Sequence, residues 1–366
     1  MHKVRRMLLL LILGAFLMSY IPARVGAEEI GLKIEVGEPG QKTASFCVNQ
    51  PHSWRIRAKV QPNWENITIL QTLPPELTLD TTSIGACIMA DNGERILLRM
   101  EEHYLLTAGS VFVEAGVSDR FCVTFTPEGI AFLREYMTRG SELLIRYKAS
   151  INARARMGSQ IVGTAQMNLN NDKGKKYIFL SDKAVVSTGG FQIFCCDSMG
   201  NPLKGGKFML AREATQAELE DSRYEKEILE AEGKNIAVLY QRFYPSSDLE
   251  GGKTDQAVTD EHGAAWFYGL AYGTYYLVQT ESAQENYLPS KPIPVQINEV
   301  SHLTSEDGWT DGQGTVTDNT IHVVGAQLLL PNTGGPGTIA YTLSGVLVIL
   351  CACMLLWYNR RGTSFI

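Results

Sequence analysis

Five residues near the carboxyl end carry the most specific chemistry in this chain. Leu330-Pro331-Asn332-Thr333-Gly334 stands just ahead of an apolar run from Ile339 to Trp357, which Arg360 and Arg361 close. A helix of about 19 residues at 1.5 Å each is roughly 28 Å long, enough to cross a bilayer core. The paired arginines would halt it on the cytoplasmic side. Pro331 fixes its own backbone dihedral, and Gly334 carries no side chain. Other chemistry is poorly represented. His2, His52, His103, His262, His302 and His322 are scattered, with no helical pair. There is no G-x-S-x-G, P-loop or HExxH motif, and acid pairs such as Asp221 with Glu225 read as solvated. No C-x-x-C spacing suggests zinc, so no metal or cofactor is expected.

The amino end agrees with the carboxyl end. Lys3, Arg5 and Arg6 precede the mostly apolar stretch Met7–Ile21, and Val25-Gly26-Ala27 offers small residues for cleavage. Residues 1–27 therefore read as a secretory signal peptide. The whole chain of 366 residues carries a net charge of −6. The two ends hold six basic residues (Lys3, Arg5, Arg6, Arg24, Arg360 and Arg361) and no acid, which leaves the mature part near −12. Such an acidic chain is a poor ligand for nucleic acid or for an anionic membrane surface. Its length suits two domains of ordinary size. Of seven cysteines, Cys351 and Cys353 fall in the apolar run. Cys47, Cys87, Cys122, Cys195 and Cys196 remain, an odd number in an oxidising compartment.

Alternation and turn signals give an all-β reading. Strands are expected at Ser53–Val60, Ile67–Thr72, Arg95–Met100, Ser110–Glu114, Phe121–Thr126 and Leu143–Ile151, with one helix at Glu128–Met137. The polar stretch Asn170–Lys176 ends this first unit, residues 28–176, or turns toward the next. A second unit, 184–327, has expected strands at Phe191–Cys196, Lys207–Ala211, Ile236–Arg242, Ala264–Tyr268, Thr274–Thr280 and Ile293–Ile297. Residues 213–232 interrupt it, and opposite charges such as Arg223–Glu227 and Lys226–Glu230 predict an exposed helical insertion. Ser301–Asp318 reads as a long loop.

Several of these stretches resemble known families. Motif, apolar run and basic stop together resemble the cell-wall sorting signal of Gram-positive surface proteins, the LPxTG family. That resemblance makes residues 330–366 a sorting signal with a transmembrane helix at 339–357. It implies a sortase that cuts after Thr333 and joins its carbonyl to an amine of peptidoglycan or of another pilin subunit. The membrane would hold the tail only until cleavage. The run Asp197-Ser198-Met199-Gly200-Asn201-Pro202-Leu203-Lys204-Gly205-Gly206-Lys207-Phe208 is similar to the opening hairpin of Cna-B-type, SpaA-like prealbumin-fold domains. Thr259-Asp260-Glu261-His262-Gly263 with Phe267-Tyr268-Gly269-Leu270, and Gly273–Thr280 continuing to Tyr287, match later elements of that family. Ile67–Pro74 with Leu77, the helix near 128–137, and Leu144–Asn152 ahead of Gly163-Thr164-Ala165 resemble the isopeptide-forming fimbrial domain. Two tandem immunoglobulin-like or prealbumin-like β-sandwiches are thus expected, in a wall-anchored structural protein that is not an enzyme. It would be a minor, basal or shaft pilin. A stand-alone adhesin for a host or bacterial surface ligand, a thioester-bearing adhesin and a surface enzyme are the other readings.

Members of the family join a buried Lys to an Asn beside an acid. Here the expected Lys is Cys195 and the expected acid is Gln279. The Asn place falls at Val324 or Gly325, with Asn319 nearby. In the first unit the acid position is Gln71 and the Asn position is Gly163. Neither usual isopeptide bond is therefore expected to form. Hydrophobic packing alone, a disulfide between Cys47 and Cys122, or a thioester between Cys195 and Gln279 could stand in. No Tyr-Pro-Lys-like acceptor motif is present, since Tyr244-Pro245-Ser246 lacks the lysine. Lys173, Lys175, Lys176 and Lys183 are the candidates for joining subunits.

Overall fold

The computed structural model describes residues 31–60, 64–114, 116–138, 140–246, 249–283, 287–288, 290–299, 320–327 and 346–357. The expected signal peptide at 1–27, the expected loop Ser301–Asp318 and the motif at 330–334 lie outside the described residues.

The first domain is built from β1 (Leu32–Val36), β2 (Thr43–Ser45), β3 (His52–Ala58), β4 (Trp64–Thr72), β5 (Leu77–Met89), β6 (Arg95–Leu97), β7 (Tyr104–Val113), β8 (Gly116–Phe125), α1 (Pro127–Tyr136), β9 (Glu142–Ile151), β10 (Ile161–Gly163), β11 (Ala165–Asn171), β12 (Lys176–Leu180) and β13 (Ala184–Ser187). Two five-stranded sheets face each other, in orders β1-β3-β9-β5-β6 and β12-β11-β4-β8-β7, with a small sheet β10-β13-β2 beside them. Period-2 alternation explains the sandwich. In β3, His52, Trp54, Ile56 and Ala58 turn inward, while Ser53, Arg55 and Arg57 stay half-exposed. Ile145 on the neighbouring strand β9 and Ile69, Phe121, Val123 and Met167 from the facing sheet complete the core.

The helix α1 starts where Thr126 accepts a hydrogen bond from the Gly129 amide at 3.0 Å, with Pro127 in the first turn. This cap satisfies an otherwise orphaned donor. Ile130 and Leu133 face the core. Gly129 allows the close approach of His103, whose carbonyl oxygen would lie 1.8 Å from any Cβ there. The free edge of β1 is closed locally: the Ile34 amide donates to Asp182 Oδ1 at 2.8 Å, and Lys42 pairs with Asp182 at 2.6 Å. Such blocking suppresses edge-to-edge pairing at that strand.

The Asn170–Lys176 stretch is not a linker. It is the turn of the β11–β12 hairpin, in which Asn170 faces Lys176. The first domain therefore runs on through β13, which pairs with β10 and β2.

The second domain comprises β14 (Gly189–Cys196), β15 (Lys207–Glu213), α2 (Gln216–Glu220), β16 (Glu227–Ala231), β17 (Lys234–Gln241), β18 (Gln256–Val258), β19 (Ala264–Leu270), β20 (Gly273–Glu281), β21 (Tyr287–Leu288), β22 (Ile293–Ile297), β23 (Thr320–Val324) and β24 (Ala326–Gln327). One sheet is β19-β14-β23, with β14 and β23 parallel. The other is β16-β17-β15-β20-β22 with β18 on β15, and β21 pairs with β24. Phe191, Phe243 and Phe267 stack at its centre, with ring centroids 4.5 to 4.7 Å apart along the Phe191–Phe267 and Phe243–Phe267 contacts.

The insertion at 213–232 is mostly not helical. After the five-residue α2 the chain forms β16, which pairs with β17. Glu232 (φ 50°) and Gly233 (φ 74°) both adopt left-handed conformations, as a tight two-residue hairpin turn requires. The charge spacing that suggested a helix is used otherwise. Arg223 pairs with Asp221, and Lys226 Nζ donates to the Leu219 and Asp221 carbonyls. Exposed helical ion pairs contribute only about 0.2–0.5 kcal/mol each and lose to a hairpin that buries Ala231 and Val238.

Residues 346–357 are helical and exposed. They are the described part of the expected 339–357 span; among the described residues no helix is long and apolar enough to cross a membrane.

Candidate functional site: two closed cores and two poles

The positions singled out by spacing fall in the hydrophobic centres of the two domains. In the second domain Cys195 is buried. Its amide donates to the Gly263 carbonyl at 2.7 Å, and its carbonyl accepts from Leu203 at 2.8 Å. The residue beside it on β23 is Val323, fully buried, rather than Val324 or Gly325. Burial, with Cys196 next to it, pushes the Cys195 thiol up to about 11. A thiol so raised stays protonated at neutral pH and is a poor nucleophile. Gln279, also buried, is engaged at both ends of its amide. Its Oε1 accepts from the Ser290 amide at 2.8 Å, and its Nε2 donates to the Glu281 carbonyl at 3.3 Å. Cys195 and Gln279 are thus a neutral thiol and a satisfied amide.

The first domain follows the same logic with different residues. Gln71 is buried between Ala165 and Phe121 on the neighbouring strands. Its Nε2 reaches the Thr72 carbonyl at 3.4 Å, while its Oε1 has no partner. At Gly163 an added Cβ would fall 2.6 Å from the Trp54 ring. The indole is fully buried and stacks on Tyr147 at 6.0 Å. Among the described residues no lysine is buried, and the one buried carboxylate is Glu35. Glu35 is held by Arg57, which also reaches Glu142 at 3.0 Å. Neither core presents an amine beside a carboxamide.

Of the alternatives raised for the missing crosslinks, the pairing of Cys47 with Cys122 is not formed; both thiols are free. The strand register explains this. Cys122 lies on β8 between the inward residues Phe121 and Val123, so its side chain takes the outer face, 3.6 Å from Thr124 Oγ1. Cys47 belongs to the segment that joins the two domains.

That junction is extensive. The Val48 amide donates to the Gly269 carbonyl at 3.0 Å, Tyr272 donates to Ser45 Oγ at 2.8 Å, and Asn49 Nδ2 donates to the Tyr244 hydroxyl at 2.7 Å. Gly269, at φ +72°, leaves room for the Tyr244 ring and for Val48. Tyr244, Leu249 and Tyr268 of the second domain join the apolar cluster of the first. None of these contacts was signalled by local pattern, because each joins residues about 200 positions apart.

Strand direction then fixes what lies at each end. β3 leaves the junction at His52, and β4 returns from Trp64 toward it. β11 runs outward again, from Ala165 beside Gln71 to Asn171 beside Trp64. The turn with Lys173, Lys175 and Lys176 therefore sits at the end of the first domain away from the second. Lys175 lies over the Tyr177 ring at 5.1 Å, and all three side chains are exposed. Lys183, between β12 and β13, lies back toward the junction. In the second domain β14 leaves the junction at Gly189, and β23 runs parallel to it, ending at Val324 beside Cys196. β24 follows, paired with β21. Ala326 and Gln327, the last described residues of this path, thus lie at the opposite pole.

Residues 189–311 match the family model SpaA, a prealbumin-like fold domain. The second domain of this chain is SpaA-like. No curated protein matches the chain. Among solved structures, the 35 kDa C-terminal fragment of a Streptococcus agalactiae major pilin is similar at 20% identity, with a TM-score of 0.56, over 81% of this chain and 100% of that one. The full-length Streptococcus pneumoniae major pilin aligns at 13% identity and a TM-score of 0.52, over 81% of this chain and 74% of that one. The Corynebacterium diphtheriae major pilin SpaD gives 12% identity and a TM-score of 0.50, over 81% and 64%. At these identities the likeness is one of fold. It extends across the SpaA-like domain and the sandwich before it.

Proposed function

We propose that this chain is a structural subunit of a Gram-positive surface fibre, anchored through a sortase and acting as substrate, not catalyst. Leu330, Pro331, Asn332, Thr333 and Gly334 form the recognition and cleavage site, and the Thr333 carbonyl passes to an amine. The acceptor is a lysine of the 173–176 turn on the next copy, or peptidoglycan where the chain ends on the wall. The observation that carries this reading is the opposition of the poles. Gln327, the last described residue ahead of the motif, lies at one end and the exposed lysines at the other, an arrangement that suits head-to-tail joining without either domain unfolding. The pilin-like fold and the firm domain junction support it, since a fibre subunit transmits load from end to end. The closed cores fit a subunit stabilised by packing, with Trp54 over Gly163 and Val323 beside Cys195, close to positions where the resemblance implies a crosslink.

The test is an anti-subunit blot of wall digests from a sortase-competent Gram-positive host. A ladder that collapses when Lys173, Lys175 and Lys176 are all changed to Arg supports the reading. A single wall-linked band, unaltered by those changes, makes the chain a solitary wall protein.

A further inference from the structure

The outer face of the sheet β1-β3-β9-β5-β6 collects positive charge. Arg55 on β3 stands directly beside Arg146 on β9, and Lys33 on β1 directly beside Arg57. Like charges set opposite one another on neighbouring strands are destabilising, so two such pairs on one face weaken the sheet that carries them. Lys148 follows Arg146 on the same face of β9, and Arg95 lies on β6 at the far edge. The acids here do not balance these groups. Glu35 and Glu142 both pair with Arg57, and Asp80 accepts from the amide and the hydroxyl of Thr82. Arg55 donates to the Gly37 carbonyl. Lys33, Arg95, Arg146 and Lys148 are exposed and make no ion pair among the described residues.

The second domain carries the opposite surface. Residues 213–232 hold eight acids and two bases. Four of the acids are engaged within the domain: Glu218 with Arg212, Asp221 with Arg223, Glu220 with Gln216 and Glu227 with Tyr240. Glu213, Glu225, Glu230 and Glu232 are exposed and make no ion pair among the described residues. The strand β16, which bears Glu230, is the edge of its sheet, and Glu232 sits in the hairpin turn that follows.

We propose that copies of the chain associate laterally, with the basic face of one first domain against the acidic 213–232 insertion of another copy's second domain. The occupant is a second copy because the chain itself carries the matching surface, on a sheet edge that is open to solvent. Unpaired cations on one side meet unpaired carboxylates on the other, and complementary potentials of this kind steer encounter and set register. The contact is heterologous, face to insertion and not face to face. Exposed ion pairs are individually weak and screened by salt, so the association is modest and falls as ionic strength rises. It uses the sides of the molecule and not its poles, and so is separate from head-to-tail joining.

Sedimentation velocity of the full-length chain, kept soluble in non-ionic detergent, tests this at low and at high ionic strength. One variant reverses the face (Arg146→Glu with Lys148→Glu), and another reverses the insertion (Glu225→Lys with Glu230→Lys). Circular dichroism checks that each folds as the parent does. The parent is expected to associate at low ionic strength and to dissociate at high. Each variant alone stays monomeric in both, since its altered surface now meets a partner of like sign. An equimolar mixture of the two variants associates again at low ionic strength, because the reversed face fits the reversed insertion. A mixture that stays monomeric overturns the proposal, as does association that either variant retains alone. A monomeric parent overturns it too. If that monomer is retained on immobilised dextran sulfate and the face variant is not, the face belongs to an anionic polymer instead.

Discussion

The Trp54 indole occupies the space into which a side chain at position 163 would project: a Cβ on Gly163 would lie 2.6 Å from the ring. The two residues are one packing unit, and each explains the other. Gly163→Ala is expected to destabilise the first domain by about 1–3 kcal/mol through overpacking, and Gly163→Asn by more. Trp54→Ala is expected to cost about 3–5 kcal/mol through the cavity it leaves. Combining Trp54→Phe with Gly163→Ala should be less harmful than the sum of the two single changes, because the smaller ring makes room. Urea unfolding of the five variants, Trp54→Phe alone included, checks this.

His52 gives the first domain an acid-sensitive element. It is buried, stacks on Phe46 at 4.0 Å, and its Nε2 has no hydrogen-bond partner. Burial lowers its pKa from 6.5 to about 4. The unfolded chain therefore binds the proton first, and stability falls as pH drops from 6.5 toward 4. The full effect is about 3 kcal/mol, reached once the pH is below the folded value. His52→Phe should flatten this part of the pH–stability curve. A slope in that window identical to that of the parent chain would assign it to other groups.

The Cys195 thiol, raised to about 11, should resist alkylation at neutral pH in the folded protein and react on unfolding. The half-buried Cys47 and Cys122 should react before it. Peptide mapping after a timed iodoacetamide pulse separates these sites. An intact mass equal to that of the plain polypeptide, with no ammonia lost, is expected beside it.

The domain junction should be brittle at Gly269. Its positive φ and the closeness of Tyr244 predict that Gly269→Ala costs about 1–2 kcal/mol and loosens the junction. Asn49→Ala removes one hydrogen bond to Tyr244, worth about 1 kcal/mol. Faster proteolytic cutting between the domains, in the order Gly269→Ala, Asn49→Ala, parent, is the expected outcome.

Much of this fold can be read from the chain directly, for a physical reason. Strands such as β3 and β11, and the second half of β9, alternate inward and outward, and that period appears in the residues themselves. Three features were hidden. Glu232-Gly233 makes a hairpin turn without the usual Asn-Gly signal, while the charges beside it mimic helical spacing. The 170–176 stretch has turn chemistry that serves a hairpin and a linker equally well. Trp54 gave no local sign of its partner, since Gly163 reaches it only through sheet topology. Of the candidate site, Cys195, Gln279, Gln71 and Gly163 were identifiable as unusual by resemblance. Their actual partners, Val323, Ser290 and Trp54, needed the three-dimensional register. The four lysines looked equivalent until strand direction put three at a pole and Lys183 near the junction.

The central claim is head-to-tail joining between opposite poles. It is tested most directly by mass spectrometry of peptides from polymer released by wall digestion. The account predicts a branched peptide in which the Thr333 carbonyl is bonded to the side-chain amine of Lys173, Lys175 or Lys176. Thr333 found only on peptidoglycan fragments, or still followed by Gly334 in the mature product, would contradict it.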